Sequence, residues 1–238
     1  NVAILRPHQG TPILGVNMTN HGQSDDQATK PFSQGVNLYW MNQVARRGYI
    51  SVAVARRGNF GSTGKMYYTQ TDSQKLSDYY MNLMKYQAAS VMAVMDKMAN
   101  DPAYKPYMST ILLDGTSGGS DTVMQVAADS TTFRTATKKA IIRFAGGILS
   151  PEQVTPGSIS SLNQYGGAIG KSGVPSLWII GDNDQTSAPG PIACQFKFFN
   201  QSTLAAGYAN TLYTVPGMGH TSTTELFSPA LRQIFREY

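Results

Sequence analysis

The pentapeptide Gly115-Thr116-Ser117-Gly118-Gly119 has the form G-x-S-x-G and follows directly on the apolar run 109–114. A helix-compatible stretch, 121–128, comes immediately after it. A strand that feeds a glycine-flanked serine and then a helix must turn sharply. Such a turn lifts the serine hydroxyl out of the sheet, where it can act as a nucleophile. The glycines have a steric reason: side chains at Gly115 and Gly119 would clash where strand and helix approach each other. The pattern alone is common in ordinary turns, and the strand–turn–helix setting is what gives it weight.

A serine hydroxyl needs a base, and the base needs an orienting group. The chain has only three histidines, so the search is short. His8 lies in the turn-like Arg6-Pro7-His8-Gln9-Gly10, and His21 begins His21-Gly22-Gln23 after the apolar stretch 13–18. His220 follows a strand-like segment, 210–215, in Val215-Pro216-Gly217-Met218-Gly219-His220, a placement that suits a base. The acid should come from a third strand end. Residues 174–180 form a buried-strand candidate bounded by Gly173 and Gly181, and Asp182-Asn183-Asp184 follows. Asp182 leaves the turn at once and reads as capping its own downstream backbone N–H groups. Asp184, farther round the loop, is the expected acid. Ser117, Asp184 and His220 thus fall at the ends of three separate strands.

Elsewhere strand candidates alternate with helical stretches, the pattern of a mostly parallel sheet covered on both faces. Strands are expected at 2–5, 13–18, 49–55, 109–114, 140–145, 174–180 and 210–215, and helices at 37–47, 73–100, 121–128, 186–207 and 224–238. In the long helix Met81, Met84, Met92, Met95 and Met98, with Leu83 and Val91, recur at helical spacing and read as a core stripe. Residues 149–172 are rich in Gly, Ser and Pro and read as a loop or small excursion over the site. The 238 residues suit one domain, 1–238, large enough to bury its own core.

Composition excludes several classes. Lys and Arg number 19 against 14 Asp and Glu, but Arg46-Arg47, Arg56-Arg57 and Lys138-Lys139 form no dense basic cluster, which argues against nucleic-acid binding. Phosphate loops, metal-ligand spacings and dinucleotide fingerprints are absent, so neither cofactor nor metal is expected. No apolar run reaches the ~18 residues of a membrane span. The single cysteine, Cys194, is expected as a small buried hydrophobe in the 191–204 segment. The abrupt start at Asn1, inside a strand-like run, suggests a mature secreted or periplasmic product over a cytoplasmic one.

With these pieces assembled, the chain resembles the α/β-hydrolase superfamily over essentially its whole length. The likeness is to its dienelactone-hydrolase-like and S9-peptidase-like bacterial serine hydrolases. It is carried by the order Ser117, Asp184, His220 and by His21-Gly22-Gln23. Arg47-Gly48-Tyr49, the segment 57–64, Phe144-Ala145-Gly146-Gly147 and Gly217-Met218-Gly219-His220 add to it. The resemblance implies a parallel sheet with little or no lid, and a serine hydrolase acting on small-molecule esters or amides. It also implies an oxyanion hole from the backbone N–H groups of Gly118 and Gln23, with His21 shaping the loop. Arg57 would tie loops together or, less in keeping with its position, meet an anionic substrate. Tyr67, Tyr68, Tyr79 and Tyr80 could line a pocket or simply pack. Dienelactone hydrolases proper use a cysteine nucleophile, whereas Ser117 stands here. A peptidase, or a binding protein built on the same fold, are the competing readings.

Overall fold

A computed structural model describes residues 1–22, 31–32, 36–60, 62, 73–146, 155–170, 173–185, 189–205, 207 and 210–220. In chain order the elements are β1 (Val2–Leu5), β2 (Gly15–Asn20), α1 (Leu38–Ala45), β3 (Tyr49–Val54), α2 (Ser73–Asn100), β4 (Thr110–Thr116), α3 (Gly118–Asp129), α4 (Thr131–Thr135), β5 (Lys138–Phe144), α5 (Pro156–Gly170), β6 (Ser176–Gly181), α6 (Pro189–Leu204) and β7 (Asn210–Val215). The strands form one seven-stranded sheet in the order β1-β3-β2-β4-β5-β6-β7. Only β1 runs antiparallel, on the edge beside β3; every other pairing is parallel. Parallel neighbours need a crossover between them, and α1, α2, α3 with α4, α5 and α6 supply it in turn.

Burial on both faces explains the continuous apolar runs in the sequence. Along β6, Trp178 and Ile180 join the larger core beneath α2, α3, α5 and α6, while Leu177 and Ile179 join the second core, which includes Trp40 and Val44 of α1. Ile141 and Ile142 of β5 divide in the same way, as the period of two requires. The α2 stripe faces the core as expected: Met84, Val91, Met95 and Met98 are buried. Met81, Leu83, Tyr67, Tyr68, Tyr79 and Tyr80 fall outside the described side chains, and the expected helix 224–238 outside the described residues.

Two expectations are corrected. The 149–172 stretch is not a loop throughout, because residues Pro156–Gly170 form α5. Its glycines are a packing surface: a side chain at Gly166 would strike the Gln195 backbone carbonyl, and one at Gly170 the Phe199 carbonyl, both on α6. Close helix–helix contact there outweighs the poor intrinsic helix propensity of Gly and Ser. Cys194 is exposed, not buried. Ile192, Gln195, Phe199 and Thr203 of α6 are buried at spacings of three or four, and Cys194 points away from that face.

The strand order reverses direction at one place. From β2 the chain moves to β3 on one side, then returns to place β4 on the other. Asn20 of β2 lies level with Gly115 of β4, so the carboxyl ends of the two strands open side by side. In open α/β sheets such a switch point is where ligands bind.

Candidate active site

Ser117 stands at that switch point, between β4 and α3, with φ 53° and ψ −129°. Positive φ is costly for a residue with a side chain, and the surroundings hold it in place. The Ser117 N–H donates to Phe144 O at 2.9 Å, and the Ser117 carbonyl accepts from the Ser120 N–H at 2.8 Å. Ser120 Oγ donates to the same carbonyl at 2.6 Å, so the hydroxyl of Ser120 is engaged within the turn. A serine ahead of a helix ordinarily caps it, but Ser117 makes no capping hydrogen bond. The turn closes tightly: a Cβ on Gly115 would collide with the Gly119 carbonyl, and one on Gly119 with the carbonyls of Asn20 and His21. The other two described non-glycine residues at positive φ are Phe60 and Ala145, which follow β3 and β5 at the same sheet edge.

The loop after β2 leans on the serine. A Cβ on Gly22 would lie 3.3 Å from Ser117 Cβ and 3.9 Å from Ser117 Oγ. His21 donates from Nδ1 to Gly22 O at 2.6 Å and meets the Phe60 ring edge-on at 4.6 Å. Burial, with the adjacent Arg56 charge, holds its pKa well below the usual histidine value, so the ring is neutral. His21 is thus tied to the backbone of its own loop and packed against Phe60.

Asp184 and His220 meet across the ends of β6 and β7. His220 Nδ1 lies 2.9 Å from Asp184 Oδ2 and 3.1 Å from Oδ1. The Asp184 carboxylate is fully buried, while the His220 side chain is 25% exposed. The approach depends on Gly181, where any Cβ would collide with the Met218 carbonyl. Met218 O accepts from the Asn183 N–H at 3.1 Å, which locks the two loops together. Asp182 does cap a turn, but not the expected one. Its Oδ1 accepts from the Gly217 N–H at 2.6 Å, bracing the loop that carries His220 and not its own downstream backbone.

Of the residues singled out by sequence, Asp184 and His220 are in direct contact, and Ser117 and Gly118 stand on the same carboxyl edge. Gln23 lies outside the described residues. Arg57 is exposed, its guanidinium 5.4 Å from the Tyr86 ring centre, and among the described residues its side chain ties no site loop. That role falls to its neighbour Arg56, which sequence reasoning passed over. Arg56 is completely buried and donates to the carbonyls of His21 at 2.7 Å, Gly22 at 2.9 Å and Gly118 at 3.2 Å. No local signal marked it: β3 is buried on both faces and ends at Val54, so alternation along the chain draws neither arginine inside.

A second buried arginine, Arg143 of β5, braces the first turn of α3 behind Ser117. It pairs with Asp121, donates to Gln195 Oε1 at 2.8 Å and Ser120 Oγ at 3.2 Å, and stacks 4.2 Å from the Trp178 ring centre. Among the described residues, no three His, Cys, Asp or Glu side chains converge as metal ligands would, and no helix is long and apolar enough to cross a membrane.

No family model and no curated protein matches the chain. Solved structures do. Esterase PE8 superposes with a TM-score of 0.61 at 16% identity, covering 98% of this chain and 97% of that one. The XC6422 protein of Xanthomonas campestris, described as an α/β serine hydrolase without lid, gives 0.63 at 18% identity over 99% and 88%. A dienelactone hydrolase-like promiscuous phosphotriesterase from metagenomic libraries gives 0.57 at 15% identity, again over 99% and 88%. With its switch point, its strained serine turn and these structural relatives, the chain has the α/β-hydrolase fold.

Proposed function

We propose that this protein is a serine hydrolase of small carboxylic esters, with Ser117 as nucleophile, His220 as general base and Asp184 as its orienting acid. The observation that carries the reading is the pairing of two built features on one sheet edge. One is a serine held at positive φ with its hydroxyl spared from capping; the other is a histidine bound through Nδ1 to a buried carboxylate. A structural turn has no need of either.

The chemistry follows from these groups. Ser117 Oγ attacks the ester carbonyl carbon and its proton passes to His220 Nε2, while Asp184 holds the Nδ1–H and stabilises the imidazolium without taking the proton. The carbonyl oxygen becomes an oxyanion and meets backbone donors. The Gly118 N–H is suited to this. The carbonyl of the same planar peptide, that of Ser117, is turned into the helix by its two bonds from Ser120, which sends the N–H the opposite way. The N–H of Gln23 is the second donor implied by the resemblance. The imidazolium then protonates the departing alcohol. Water, activated by the same histidine, cleaves the acyl-enzyme and returns Ser117 to its starting state.

A fluorophosphonate should add once to the protein, and peptide mapping should place the adduct on Ser117. Absence of label, or label that persists in Ser117→Ala, refutes the assignment. A panel of p-nitrophenyl esters run beside aminoacyl p-nitroanilides separates esterase from peptidase: turnover confined to the anilides would replace the ester reading.

A further inference from the structure

Arg56 touches none of the atoms that would react, yet its guanidinium joins every backbone segment around Ser117 that the structure describes after β2 and β4. Nη2 donates to His21 O at 2.7 Å and Gly22 O at 2.9 Å. Both of its hydrogens are then used, so the His21 Nδ1 that lies 3.1 Å away keeps its own proton and donates it to Gly22 O. Nη1 donates to Gly118 O at 3.2 Å and is anchored from behind by Gln87 Oε1 of α2 at 2.7 Å and Thr122 Oγ1 of α3 at 2.6 Å. A planar trans peptide whose carbonyl is turned inward presents its N–H outward. The carbonyls of His21, Gly22 and Gly118, turned onto one buried cation, thus fix the peptide planes they belong to on either side of Ser117, while the Gly118 N–H lies one peptide earlier and is set by the Ser117 carbonyl.

We propose that Arg56 is the positioning residue of the oxyanion site, a buried fork that holds the Gly22 loop and the first turn of α3 at a set spacing across Ser117. The inference rests on the serine-hydrolase reading above. A planar fork is required, because a lysine ammonium is a point donor and cannot span carbonyls on two separate segments in the same way. A buried arginine that only held the fold together would affect how much protein is folded. One that sets oxyanion geometry affects turnover at each folded site and the binding of anything that mimics the tetrahedral state.

The test uses the full chain and its Arg56→Lys and Arg56→Met variants. The concentration of competent sites is fixed by fluorophosphonate titration, and kinetics are read on the p-nitrophenyl ester that wild type prefers. Arg56→Lys should lower kcat per titrated site roughly 10- to 100-fold with KM within about threefold. The Ki of a trifluoromethyl ketone with the same acyl chain should rise by the same factor as kcat/KM falls. A kcat per titrated site within about twofold of wild type in both variants overturns the proposal. Should neither variant fold, Gln87→Leu and Gln87→Glu decide, since Gln87 meets the guanidinium only from its far side. Leu at that position must lower kcat per site by about threefold or more and Glu must retain it; equal turnover in the two overturns the proposal. A wild type that neither titrates nor turns over an ester is a distinct result: it removes the nucleophile assignment, and the role of Arg56 with it.

Discussion

Replacing Asp114 by asparagine should make the protein more stable at neutral pH and have almost no such benefit in mild acid. Asp114 lies on β4, three residues before Ser117, and is 2% exposed. Its Oδ1 accepts from Asn17 Nδ2 at 2.7 Å and Thr19 Oγ1 at 2.8 Å. Burial raises its pKa from 3.8 to about 6, and the hydrogen bonds from Trp40, Asn17 and Thr19 offset only part of that. A carboxyl whose pKa is higher in the folded chain keeps a proton that the unfolded chain has already released. Stability from this group is therefore fully present below the unfolded value and is lost as pH rises through about 6. Roughly two units at about 1.4 kcal/mol each give about 3 kcal/mol in all, of which about 2.5 kcal/mol falls between pH 4 and pH 7. Asparagine keeps an acceptor for Asn17 and Thr19 and never ionises. The assay is urea denaturation of wild type and Asp114→Asn from pH 4 to pH 8, taking the difference at each pH so that every other titrating group cancels. The variant should gain about 2.5 kcal/mol on wild type across that interval. Parallel curves, or a variant that loses ground as pH rises, would refute a buried, reluctantly ionised Asp114.

The remaining predictions concern the candidate site and the surface. Asp184→Asn should lower kcat by about 10⁴ with the fold retained, as expected when the orienting carboxylate of a triad becomes an amide. Asp182→Asn should cost about 1 kcal/mol through its weakened bond to the Gly217 N–H while leaving most turnover; the opposite ranking in side-by-side kinetics and denaturation would exchange their roles. Cys194, exposed on α6, should react stoichiometrically with a thiol reagent in the native state without loss of esterase turnover. Protection until denaturant is added would contradict its placement.

Local sequence determined a good deal of this molecule. The alternation of apolar runs with helical periods is enough to specify a mostly parallel, two-sided sheet, because a strand buried on both faces cannot alternate and a helix on its surface must. The glycines around Ser117 announce a close strand–helix turn, since only a missing Cβ permits the approach that the structure shows. Residues 149–172 misled for the same reason that local signals usually work. Their glycines count against a helix, until α6 is found lying where a Cβ would have been. Tertiary packing alone decided the rest. Whether Cys194 faces the core depends on which side of α6 meets β6 and α5. The partner of Asp182 is a backbone N–H beyond β7, which no local pattern could name. Of the adjacent Arg56 and Arg57, only the packing of α2 and α3 against the end of β3 decides which is drawn inside. Periodicity is a property of neighbours in sequence, and it survives in the text of the chain. The approach of β2 to β4, and of one guanidinium to three carbonyls, is a property of neighbours in space.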